Sequence, residues 1–84
     1  MSETLFGSLG TSERVLKLLR STESYGGPQS VEDVCTNLKM KKKNAASILS
    51  RLCKREKIER IGKGTYKIAG DARPYNKSKP HYKQ

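Results

Sequence analysis

The strongest constraint in this chain is a change of apolar period between residues 45 and 68. Ala45, Ile48, Leu49 and Leu52 fall at i, i+3, i+4 and i+7, one stripe of an α-helix. The pattern then turns β-branched and aromatic in Ile58 to Ile61 and Thr65 to Ala69, around Gly62-Lys63-Gly64. This predicts a helix from about Lys42 to Arg55, then a hairpin with a three-residue, glycine-bearing loop. At about 100° per residue, Lys43, Ser47, Ser50 and Lys54 lie opposite the apolar stripe, flanked by Asn44, Ala46 and Arg51. In the hairpin, Tyr66 and Ile68 share one face and Lys67 takes the other.

Two shorter helices are expected upstream. Thr11 or Ser12 can cap the first; Val15, Leu16, Leu18 and Leu19 give it a broad apolar stripe, and Tyr25-Gly26-Gly27-Pro28 stops it. Ser30 and Asp33 have capping-box spacing, so a second helix runs from about Val31 to Leu38. Its apolar face is Val31, Val34, Cys35 and Leu38, and Lys39 to Lys41 form a tight turn into the third helix. The chain divides into a flexible arm over 1–10, holding Leu5, Phe6 and Leu9, a folded domain over 11–70, and a basic tail over 71–84. The tail carries Pro74 and Pro80 with no apolar period, so it should be disordered when free.

Size and charge exclude several function classes. A chain of 84 residues buries only about 60% of its unfolded surface, so a deep pocket is not expected, nor is a small-molecule ligand. The net charge is +10, and it is uneven: residues 1–33 hold three basic and five acidic side chains, residues 34–84 fifteen and three. Such an excess favours a polyanionic partner. No apolar run approaches the roughly 18 residues of a membrane span, and the N-terminus lacks a secretory layout. An intracellular setting is the expectation, cytoplasm or nucleoid, or nucleus if the source is eukaryotic. Cys35 and Cys53 read as small apolar residues at helix contacts. Their spacing fits no zinc pattern, and His81 is the sole histidine, so no metal, cofactor or catalytic residue is expected. Gly62 and Gly64 precede no helix and so form no phosphate-binding loop.

Helix, helix, turn, helix, hairpin is the order of a winged helix-turn-helix, mainly α with a small β hairpin, and residues 30–68 resemble the winged-helix transcription-regulator superfamily. The resemblance rests on Val34-Cys35, on Leu38-Lys39-Met40 at the turn, and on the spine of Ala45, Ile48, Leu49 and Leu52. It continues through Lys54-Arg55-Glu56-Lys57-Ile58 to Gly62-Lys63-Gly64-Thr65-Tyr66-Lys67-Ile68. The superfamily usually has glycine where Lys39 and Glu56 stand, and both sites often need a positive φ. A Z-DNA-binding branch uses an Asn and a Tyr on the third helix. Ala46 and Ser50 occupy the corresponding positions, which argues against that specialisation.

The resemblance implies sequence-specific binding of double-stranded DNA by a transcription regulator, with the third helix in the major groove and the hairpin on the backbone or minor groove. Base contacts would come from Lys43, Asn44, Ala46, Ser47, Ser50 and Arg51. Phosphate contacts would come from Lys41, Lys42, Lys54, Arg60, Lys63 and Lys67, with the tail lysines beside them. Two other readings stay open. Tyr75 and Tyr82, interleaved with basic residues, could stack on single-stranded nucleic acid or RNA. The fold could also serve as a protein-interaction module. Either a monomer or a weak homodimer through residues 1–20 fits.

Overall fold

The computed structural model describes residues 10–80. Chain order is α1 (Thr11–Arg20), β1 (Gln29–Ser30), α2 (Val31–Leu38), α3 (Lys42–Lys54), β2 (Ile58–Gly62) and β3 (Thr65–Ile68). The strands form one antiparallel sheet in the order β1-β3-β2. Three helices thus enclose an apolar centre, closed on one side by a small sheet. The expected arm residues 1–9, with Leu5, Phe6 and Leu9, lie outside the described residues, as do His81, Tyr82 and Lys83.

The core follows the helical stripes. Val15, Leu16, Leu18 and Leu19 of α1, Val34 and Leu38 of α2, and Ala45, Ile48, Leu49 and Leu52 of α3 are all buried, with Ile58 beneath them. Val31, Cys35, Tyr66 and Ile68 pack at its edge, half-buried. Burial is nearly complete because α3 packs against both α1 and α2.

Local signals set most helix ends. The capping box before α2 is formed: the Asp33 amide donates to Ser30 Oγ at 3.0 Å, and the Ser30 amide to Asp33 Oδ2 at 3.1 Å. α2 ends with Lys39 in the left-handed region, φ 53, and the Met40 amide reaches back to the Cys35 carbonyl at 3.2 Å. α3 ends with Glu56 at φ 61. There the Lys57 amide donates to the Leu52 carbonyl and the Glu56 amide to Cys53, the paired bonds of a Schellman motif. Lys39 and Glu56 therefore adopt the positive φ that glycine would take more easily.

Four expectations about the helices and strands are corrected. α1 is capped by Gly10, extended at φ −65 and ψ 162 with no side-chain bond, rather than by Thr11 or Ser12. It stops at Arg20, well before Tyr25, because Ser21 leaves the helix and its Oγ accepts the Glu23 amide at 3.1 Å. The hairpin turn is the pair Lys63-Gly64 rather than a three-residue loop: Gly62 still pairs with Thr65, and the register shifts between Arg60 and Gly62, making Ile61 the extra residue of a bulge. Finally, the sheet has a third strand. Gln29 pairs with Tyr66 and Ser30 with Thr65, so the hairpin is stitched to the start of α2.

The segment from Asp71, expected to be loose, lies against the body as far as residue 80. Arg73 Nη1 donates to the Ser21 carbonyl at 2.7 Å and Nη2 to Leu19 at 3.2 Å, satisfying the free carbonyls at the end of α1. Arg73 also grips both oxygens of Asp71. Tyr75 donates its hydroxyl to Asp33 Oδ2 at 3.0 Å, and Lys79 donates to the Gly26 and Pro28 carbonyls. Polar anchoring replaces the apolar burial that composition could not supply.

Candidate nucleic-acid interface

α3 positions the candidate base-reading side chains because its apolar stripe is fully consumed inside. Lys43, Asn44, Ala46, Ser47, Ser50 and Arg51 are all exposed on its outer surface, together with Lys42 and Lys54. No acidic residue lies in α3. The small side chains of Ala46, Ser47 and Ser50 leave the helix backbone open to close approach by a partner. Lys41 is the N-cap residue of α3, extended at φ −70, and its side chain makes no capping bond. Its charge is thus free of a local structural duty.

The other expected phosphate contacts lie at the start of α3 and on the β2–β3 hairpin. Lys63 is exposed at the hairpin tip between Gly62 and Gly64, with Gly64 at φ 72. Arg60 is exposed and folds over the bulge, Nε donating to the Gly62 carbonyl at 3.2 Å. Lys42 stands 3.8 Å from Glu32 with both side chains in solvent, a weak and easily exchanged pair. Lys67 differs from the rest. It is largely covered, 3.4 Å from Glu59 across the strand pair, and donates to the Asp71 carbonyl at 2.6 Å. A phosphate contact by Lys67 would require it to give up both.

An open cleft of about 510 Å³ runs beside α3. Its walls are Thr11 and Arg14 from α1, then Lys39, Met40 and Lys41 from the turn. Asn44, Ser47, Ile48 and Arg51 of α3 line it as well, so among the described residues no carboxylate faces it. Arg14 is the residue that sequence reasoning missed. It sits in α1, inside the acidic third of the chain, and nothing in the local pattern distinguishes it from a solvated helix arginine. Its Nη2 donates to the Leu38 carbonyl at 3.1 Å, while its Nε is buried without an acceptor among the described residues.

Among the described residues, two polar side chains are buried in the body of the fold. Gln29 and Asn37 are fully buried: Asn37 Nδ2 donates to Gln29 Oε1 at 3.1 Å, and Gln29 Nε2 to the Tyr25 carbonyl at 2.7 Å. This pair ties the loop after α1 to the last turn of α2. The thiol of Cys35 is pushed up by burial, in keeping with an unreactive packing role. Among the described residues, no three His, Cys, Asp or Glu side chains gather into a cluster that could hold a metal ion. No helix there is long and apolar enough to cross a membrane. Comparison of the chain with protein families, with curated proteins and with solved structures returns no match in any of the three.

Proposed function

We propose that this chain is a sequence-specific double-stranded DNA-binding protein of the winged helix-turn-helix type, acting as a transcription regulator. α3 enters the major groove and the β2–β3 hairpin rests on the backbone or minor groove. One observation carries the reading: the outer face of α3 is exposed along its length, cationic, free of carboxylates and of bulky apolar groups. Such a face gains nothing from an apolar protein partner, and its small side chains let a helix sit deep between phosphate rows. Asn44 is suited to adenine, and Lys43 and Arg51 to guanine. Lys41, Lys42, Lys54, Arg60 and Lys63 supply the sequence-independent part of the affinity.

The single-strand alternative draws on tail aromatics. Tyr75 is half-buried, bonded to Asp33 and covered by the Lys79 ammonium 5.6 Å from its ring, so it is not a free stacking platform. The test is a titration of duplex and single-stranded DNA across salt concentrations. Duplex affinity should fall with a log–log slope corresponding to roughly 4–8 phosphates at about −0.9 each. Lys63→Ala should weaken all duplexes alike, whereas Asn44→Ala should change the preferred sequence. Tighter binding to single strands, or no binding at low salt, would refute the proposal.

A further inference from the structure

We propose that the cleft between the first turn of α1 and the Asn44–Arg51 flank of α3 seats a backbone phosphodiester of bound DNA, with Arg14 as a contact residue supplied by the first helix. The inference rests on the duplex-binding reading and adds a contact element to it. Four cations from three separate elements converge here: Arg14 from α1, Lys39 and Lys41 from the turn, Arg51 from α3. Among the described residues no carboxylate lines the cleft to neutralise them, and the uncharged polar groups between them, Thr11, Asn44 and Ser47, can all donate hydrogen bonds. Like charges brought together without a counter-charge repel, and an anion between them removes that cost.

Two details single out an anion rather than solvent. The Arg14 guanidinium has one protein acceptor, the Leu38 carbonyl, and a buried Nε with none among the described residues. Arg14 lines the cleft, and a phosphate oxygen there is a strong, charge-assisted acceptor for its guanidinium. Lys39, which also lines the cleft, holds its cation in a left-handed conformation, φ 53, that glycine would adopt with less strain. The cleft is open and contiguous with the Asn44 and Ser47 side chains. That geometry suits a phosphate that is one link of a longer backbone lying along α3, more than an enclosed free anion.

The test uses the full chain, ¹⁵N-labelled and titrated with a short duplex. The Arg14 Nε–H resonance is followed alongside the α3 amides. Both should shift and saturate at the same duplex concentration. Lys39→Gly combined with Lys41→Gln should flatten the salt dependence of duplex affinity by about 0.9 per cation removed. Lys17→Gln, an exposed α1 cation outside the cleft, should leave it unchanged. The double variant should remain folded, because glycine relaxes Lys39 and the Lys41 side chain makes no cap bond. If α3 amides move while Arg14 stays silent and the slope is unaltered, the phosphate seat is wrong and duplex binding stands. If neither moves, duplex binding itself fails and the seat with it. If sodium phosphate alone drives the Arg14 resonance to the duplex end point, the cleft takes free phosphate and the backbone assignment is overturned.

Discussion

At the residue scale, two side chains occupy backbone positions made for glycine. Glu56 at φ 61 closes α3 and lies away from the cleft, so its strain serves only the turn. Glu56→Gly should therefore stabilise the protein by about 0.5–1 kcal/mol, the left-handed penalty less the extra freedom glycine gives the unfolded chain. The denaturation midpoint in urea should rise with unchanged slope. In the opposite direction, Leu49 is fully buried at the centre of the α3 stripe. Leu49→Ala should cost about 2–5 kcal/mol because the surrounding helices cannot collapse into the space. An unchanged melting temperature in that variant would mean the stripe is not the core. Both positions were legible beforehand: Leu49 from its period, Glu56 from the resemblance, whose pattern usually carries glycine there. Arg14 was not legible, since the Leu38 carbonyl it holds lies in another helix.

At the scale of elements, the helices were readable and the sheet only half so. The α2 capping box needs four consecutive residues, and α3 declares itself through its own stripe. β1 is two residues long, with one side chain polar and buried, so it carries neither alternation nor β-branched bias. It exists because β3 offers an unpaired edge next to the start of α2, and the Val31 amide extends the contact to the Gly64 carbonyl at 3.0 Å. Gln29 is held in that strand by Asn37. Asn37→Ala should leave Gln29 Oε1 without its Asn37 donor and cost about 1–3 kcal/mol. Amide hydrogen exchange should then quicken in β1 and β3 before it does in α3. Equal protection of β1 in the variant and the parent would show that the Gln29–Asn37 bond does not anchor the strand.

At the scale of the whole molecule, the tail is a polar strap across the end of α1 and the loop that follows. Its hub is Asp71, whose carboxyl is held below the usual carboxylate range chiefly by the hydrogen bonds from Arg73. A carboxylate depressed in the folded state stabilises it fully above the unfolded value and loses that contribution as pH falls through the folded one. The strap should accordingly be intact at neutral pH and should loosen in acid, below the ordinary Asp range. Asp71→Asn should show lower stability than the parent at pH 7 and a shallower loss of stability on acidification. Parallel pH–stability curves for the two proteins would rule the carboxylate out as the anchor. The strap also depends on Gly27: φ is +85 there, and a Cβ would meet the Arg73 guanidinium at 3.3 Å.

Three helical stripes, the hairpin and the concentration of positive charge on the second half of the chain are written in the residues alone. These are periodic or compositional properties, carried by neighbours within a turn or a strand. The third strand, the buried Gln29–Asn37 pair, the docking of residues 71–80 and the cleft that gathers Arg14 with Lys39, Lys41 and Arg51 emerge from packing in three dimensions. In each of those, a donor meets a carbonyl or a like charge meets another across a gap in the chain. No local period records such a meeting, because its free energy arises only after the leucine core has brought the elements together.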